Sequence, residues 1–180
     1  REPYLLDSRK CISYLTIELK GSIPEHLRAG MGDWIYGCDI CQEVCPWNEK
    51  HAGPTDESAY QPREGRSPAD LHELLQLDQA GFSGRFKGSP IKRAKRRGLL
   101  RNVAVAIGNQ GRTEDIGVLS AALSDPEPLV RGHSAWALGQ IGGEAAVRAL
   151  GSAMESESDS EVIKEIRSAL REAEGETREG

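Results

Sequence analysis

Apolar residues in the second half of the chain return at helical spacing. From Ser89-Pro90 onward they fall at Ala94, Leu99, Leu100, Val103 and Ile107, steps that place them on one helix face. Ser89 ahead of Pro90 pairs a capping residue with the residue best tolerated at the first helical position. A helix is therefore expected to start near Pro90 and to end at Gly108 or Gly111. A second start is written at Ser67-Pro68-Ala69-Asp70, where an acid stands three residues after the cap.

The pattern then repeats. Leu99-Leu100-Arg101-Asn102-Val103-Ala104-Val105-Ala106-Ile107-Gly108-Asn109-Gln110-Gly111 aligns with the stretch from Val130 to Gly142, 31 residues on. Ala104/Ala135, Ala106/Ala137, Ile107/Leu138, Gly108/Gly139 and Gly111/Gly142 match, although Val103 falls on Ser134. The register continues through Ile116/Val147, Leu119/Leu150 and Leu123/Met154. A weaker third copy runs one residue out of step, with Val162, Ile166, Ala169 and Leu170. One helix pair cannot bury its apolar face alone, so neighbouring pairs must stack into an array resembling short HEAT-like repeats. An ordinary helical bundle is the plainer alternative. The acidic end (Glu172, Glu174, Glu176, Glu179) suits a polar cap and tail.

Three zones follow: residues 1–50 with every cysteine, a linker over 51–66 that lacks apolar periodicity, and helices over 67–180. The expected fold is mainly α, a ferredoxin-like iron–sulfur segment followed by a HEAT-like helical repeat domain. No apolar run is long enough to span a membrane. The opening Arg1-Glu2-Pro3, with neither Met nor a signal pattern, reads as the interior of a longer protein in a cytoplasmic setting. Net charge is −5, yet Arg85, Lys87, Lys92, Arg93, Lys95, Arg96, Arg97 and Arg101 occur in one stretch with no acid. The remainder holds 15 basic and 28 acidic residues. A polyanion is the simplest partner for such a segment, and a solvated helix face is the bland alternative.

The cysteines are Cys11, Cys38, Cys41 and Cys45, the last followed by Pro46. Cys38-x2-Cys41-x3-Cys45-Pro46 is the back end of the bacterial ferredoxin run, in which the final cysteine ligates the other of two clusters. Cys11 would fold back to join Cys38 and Cys41. One cluster then has three ligands and the other has Cys45 alone, so the count predicts a further cysteine run upstream. A four-cysteine structural zinc site remains open, as does a disulfide. Trp34 and Trp47 are placed either to shield a cluster or to pack as core.

Three stretches carry a resemblance: Leu6–Glu18 around Cys11, Ile35–Asn48 around the other cysteines, and Gly88–Asn109 across the basic segment. They are similar to the signature segments of the epoxyqueuosine reductases, with this chain as the C-terminal portion. The resemblance implies two [4Fe-4S] clusters and cobalamin, used to reduce epoxyqueuosine to queuosine at the wobble position of tRNA. It implies that Cys11, Cys38 and Cys41 join one upstream cysteine on the cluster nearer cobalamin, and that Cys45 joins three on the other. Ser13 and Asp39, beside cluster ligands, are placed to touch cobalamin, or else to make local loop hydrogen bonds. Lys92, Arg93, Lys95, Arg96 and Arg97 are expected to hold tRNA phosphates, with Lys20 near the anticodon loop. His133 is expected to be structural, while His26, His51 and His72 show no partner pattern. The expected partners are tRNA bearing epoxyqueuosine and an external electron donor; the protein is expected to be a monomer away from the membrane. No catalytic residue is assigned here, since the expected acid lies upstream, and the fragment alone is expected to be inactive. A related reductive dehalogenase, a zinc-bearing tRNA-binding scaffold and a repeat-type interaction adaptor are the competing readings.

Overall fold

A computed structural model describes residues 5–61, 70–173 and 175. Ten α-helices occur among them and no strand. Three are short and lie in the cysteine-bearing part: α1 (Glu25–Arg28), α2 (Ile40–Glu43) and α3 (Pro46–His51). Residues 14–18 form one π-helical turn just after Cys11. Then come α4 (Leu71–Leu75) and α5 (Gln79–Arg85). The remainder are α6 (Lys95–Gln110), α7 (Ile116–Ala122), α8 (Pro128–Ile141), α9 (Gly143–Ser156) and α10 (Ser160–Ala173).

The repeat is physical as well as textual. Helices α6, α8 and α10 pack side by side as an inner row, and α7 and α9 lie outside it. Both α6 and α8 are covered on most sides; residues 98–108 are buried without a break, the polar Arg101 and Asn102 among them. Gly111 takes the left-handed conformation (φ 65°, ψ 25°) and ends α6. Gly108 serves close packing instead: a Cβ there would stand 2.8 Å from the Ala137 backbone of α8. Gly139, its repeat equivalent, meets Ala169 of α10 at the same 2.8 Å. The spacing from Ala137 to Ala169 is 32 residues where the first step is 31, which is the out-of-step third copy seen as a contact.

Two helix starts differ from expectation. Ser89 does cap, its hydroxyl accepting from the Ile91 amide, but Pro90–Ala94 is a tight 3-10 turn and not the first turn of α6. Lys95 then breaks the chain with φ 60° and ψ 167°, the single positive φ outside glycine among the described residues. Anchors on either side account for the break. Tyr36 Oη donates to the Pro90 carbonyl at 2.6 Å, while Arg96 is drawn the other way onto Asp125 and the Leu77 carbonyl. At the other start, Asp70 caps α4 by accepting from the amides of His72 and Glu73. Ser67-Pro68-Ala69 lie outside the described residues, as do residues 62–66 of the expected linker, Arg1-Glu2-Pro3 and the acids Glu174, Glu176 and Glu179.

Candidate iron–sulfur site and basic face

The cysteine-bearing segment lies along the inner row, held mainly by side chains that reach out of the repeat into its backbone. Asn102 of α6 donates to the carbonyls of Thr16 (2.8 Å) and Ile35 (2.9 Å). His133 of α8 accepts the Ile23 amide at 3.2 Å. Glu165 of α10 takes both ends of the Arg28 guanidinium, at 2.5 and 2.9 Å. Asn102, His133 and Glu165 are successive repeat equivalents, 31 and 32 residues apart. One position in the repeat thus supplies a row of docking groups. Asn109 extends the row to the carbonyls of Arg28 and Gly32.

Within the segment, the Cys11 turn and the Cys38 loop are stitched together. Ser13 Oγ donates to the Cys38 carbonyl at 3.3 Å. Thr16 Oγ1 donates to Ile12 O and accepts from the Gly37 amide at 3.0 Å. Gly37 has φ 75°, so its lack of a side chain is what lets the chain turn into Cys38. Cys45 stands immediately ahead of Pro46 at the start of α3. The amides of Asn48 and then Trp47 face its sulfur and hold the thiol below its ordinary pKa, favouring the thiolate that binds metal. All four cysteines are free thiols. Among the described residues, no three His, Cys, Asp or Glu side chains gather into a set that could hold one metal ion. A single tetrahedral zinc needs all its thiolates about 2.3 Å from one point; a cluster spreads them over separate irons. Ser13 ties the turn that follows Cys11 to the Cys38 carbonyl, and Cys45 stands at the start of its own helix. Trp47 is 74% exposed and so is not core within this chain, whereas Trp34 is half-buried.

The basic face is smaller than the sequence suggests. Arg96 is only 8% exposed; its guanidinium is paired with Asp125 and its Nε with Leu77 O. It is therefore withdrawn from the phosphate-facing set, because its donors already have partners in the fold. Arg101 is fully buried and holds the carbonyls of Leu15, Leu19 and Gly21. Burial, and secondarily the charge of Arg97, pulls its pKa down to about 10. It still carries its proton at neutral pH. Lys92, Arg93 and Lys95 are exposed and Arg97 is half-buried. Arg93 pairs with Glu18 at 2.6 Å, on the turn that follows Cys11. Lys20 is exposed, 3.5 Å from the Ile17 carbonyl. Asp39 is exposed and accepts from Gln42 Nε2.

His133 is structural, as the sequence implied. Its Nδ1 lies 2.8 Å from Leu129 O and must donate there, so Nε2 accepts from Ile23 and the ring is neutral. Burial, with the nearby charge of Arg28, pushes its pKa well below 6.5. His72 does have a partner, the fully buried Asp115, at 2.6 Å. His51 stacks on Trp47. Sequence reasoning gave no docking role to Arg28, Asn102 or Asn109, and counted Arg101 with the basic run that faces a polyanion, whereas it is buried against the first segment. The signal was available in the repeat alignment, which sets Asn102 opposite His133 within the apolar stretches of the two helices.

Comparison with known proteins agrees with this geometry. Residues 1–48 match the 4Fe-4S double cluster binding domain, and residues 92–171 match HEAT repeats. The epoxyqueuosine reductase of Pseudomonas aeruginosa is 48% identical over 78% of this chain and 39% of its own length. That of Escherichia coli is 45% identical over 77% of this chain and 36% of its own. The crystal structure of an epoxyqueuosine reductase with a tRNA-Tyr epoxyqueuosine-modified stem loop superposes with a TM-score of 0.87 at 31% identity, over 96% of this chain and 46% of that one. The Bacillus subtilis epoxyqueuosine reductase gives 0.82 at 32% identity, over 94% and 45%. The chain thus spans less than half the length of these relatives. Over the part that it spans, the chain belongs to the epoxyqueuosine reductase family.

Proposed function

We propose that this chain forms the iron–sulfur and RNA-facing part of an enzyme that reduces epoxyqueuosine to queuosine at the wobble position of tRNA. The observation that carries the reading is a direct connection between its two working surfaces. The basic turn Pro90–Ala94 is tied to both cysteine-bearing stretches, through Arg93–Glu18 and through Tyr36–Pro90. An RNA backbone held on that turn would lie near both cysteine-bearing stretches.

In this reading Cys11, Cys38 and Cys41 hold one [4Fe-4S] cluster with a thiolate from elsewhere in the protein. Cys45, its thiolate favoured by two amides, joins the other cluster. Electrons enter from an external donor. Cobalamin, when bound, supplies the reductive chemistry at the epoxide. Of the two residues placed beside it, Asp39 is exposed and fits that contact, while Ser13 commits its proton to Cys38 O and serves to close the loop. Lys92, Arg93, Lys95 and Arg97 meet phosphates, and the exposed Lys20 reaches toward the anticodon loop. Such contacts give affinity without sequence preference, and the family's substrate base would be read elsewhere.

The test is a binding titration of a tRNA anticodon stem loop against salt. Replacing Lys92 or Lys95 by Gln should weaken binding and lower the slope of log K on log salt by roughly 0.7–0.9 per phosphate contact removed. Arg96→Gln should destabilise the fold and leave that slope alone. Binding insensitive to salt, or a slope that falls only with Arg96, would remove this face from RNA recognition.

A further inference from the structure

We propose that Arg101 and Asn102 are positioning residues of the iron–sulfur site, fixing the Cys11 turn against the Cys38 loop and setting the reduction potential of the cluster those cysteines hold. The inference rests on the reading above that these cysteines are cluster ligands, and it assigns to α6 a role separate from RNA binding.

The geometry is unusual for a helical repeat. Adjacent residues of one helix put two large polar side chains into a fully buried setting, both at 0% exposure. Each makes bonds outside its own helix. Arg101 Nη2 reaches Leu15 O at 2.6 Å, and Nη1 reaches Gly21 O at 2.6 Å and Leu19 O at 3.0 Å. The amide of that same Leu15 donates to Cys11 O at 2.9 Å. Asn102 Oδ1 accepts from Arg101 Nε and Nη2, and its Nδ2 bridges Thr16 O and Ile35 O. Thr16 in turn holds the Gly37 amide, next to Cys38. Three of these bonds, at Leu15, Thr16 and Ile35, thus end within five residues of Cys11 or three of Cys38.

Charge makes the arrangement more than a fastening. A buried cation is costly unless paired, and among the described residues Arg101 forms no ion pair with a carboxylate. Its partners are the carbonyls that end the π-helical turn and the Asn102 amide oxygen. A buried guanidinium bonded to the turn that follows Cys11 would favour a centre of opposite sign held by that turn. A thiolate-ligated cluster carries net negative charge and gains one more on reduction, and nearby charge is among the factors that set its potential. Arg101 would favour the reduced form.

The experiment uses the full-length protein, isolated without oxygen, with iron and sulfide content measured first and cluster potentials then read by spectroelectrochemistry and EPR. Arg101→Met should lower the potential of one cluster by about 59 mV, a tenfold shift of a one-electron equilibrium, and leave the other unmoved. Arg101→Lys, which keeps the charge but cannot fork to three carbonyls, should recover most of the potential while broadening the EPR signal. Should Arg101→Met fail to fold, Thr16→Val carries the test: it removes the Gly37 bond at constant volume and should alter the same cluster's EPR signal. Variants that lose stability or cluster content while the surviving cluster keeps the wild-type potential and signal would overturn the proposal and leave the cysteine assignment intact. Wild-type protein free of iron would overturn both.

Discussion

Residues 11–37 bury only Leu15, Ile23 and Met31 among their apolar side chains, whereas α6 and α8 bury nearly everything they carry. The first region adds to that packing a set of hydrogen bonds and one ion pair to the inner row; the second is held by small residues in close contact, down to 2.8 Å at Gly108 and Gly139. Contact packing tolerates almost no displacement. Directional bonds to backbone carbonyls fix where a loop sits without needing bulk around it. A segment that must leave room for clusters cannot fill itself with side chains, so its position is borrowed from the repeat.

The sharpest way to break that dependence is at Arg28, which is buried, pairs with Glu165 and lies over the Trp136 ring. Arg28→Met strands Glu165 and the Ile23 carbonyl. It should cost about 3–5 kcal/mol in denaturant unfolding, the range for breaking a buried pair. A loss below about 1 kcal/mol, the level of a surface pair, would show that the segment does not lean on the repeat there.

Inside the repeat the expected effects come from volume. Gly108→Ala forces a methyl into the Ala137 backbone and should cost roughly 1–3 kcal/mol, read as a lower unfolding midpoint with the cysteine segment's hydrogen exchange shifted only in proportion. A change confined to the segment would contradict the division drawn here.

Acid provides the next test. The pKa of His133 is lowered on folding, so its contribution is complete above pH 6.5 and is lost as pH falls below that toward the lower folded value. Stability should therefore fall between pH 7.5 and 5.5. Exchange of the Ile23 amide should rise as it falls. His133→Gln should remove this part of the pH dependence; an unchanged profile would mean that another group titrates. The smallest effect is at Gly132, where a Cβ meets Glu165 Cγ at an ordinary 3.6 Å. Gly132→Ala should stabilise α8 by roughly 0.5–1 kcal/mol, from helix propensity alone, the opposite sign to Gly108→Ala.

Much of this architecture is legible from periodicity. The 31-residue step, the Gly108/Gly139 match and even the slip of the third copy correspond to real contacts, because stacking forces equivalent residues into equivalent places. The Cys38-x2-Cys41-x3-Cys45-Pro46 spacing was readable as an iron–sulfur signal, in line with the 4Fe-4S match over residues 1–48. Charge was not. Arg96 and Arg101 look like their neighbours in a basic run, and only the three-dimensional path of the chain brings Asp125 and the carbonyls of the first segment to them. The break at Lys95 escaped for the same reason, since it is imposed by anchors far away in sequence.

The measurement closest to the centre of this account is EPR of the reduced full-length protein, prepared without oxygen, with Cys11→Ser and Cys45→Ser beside the wild type. Two [4Fe-4S] signals are expected, with Cys11→Ser disturbing one and Cys45→Ser the other. Colourless protein containing stoichiometric zinc, or two substitutions that remove the same signal, would contradict it.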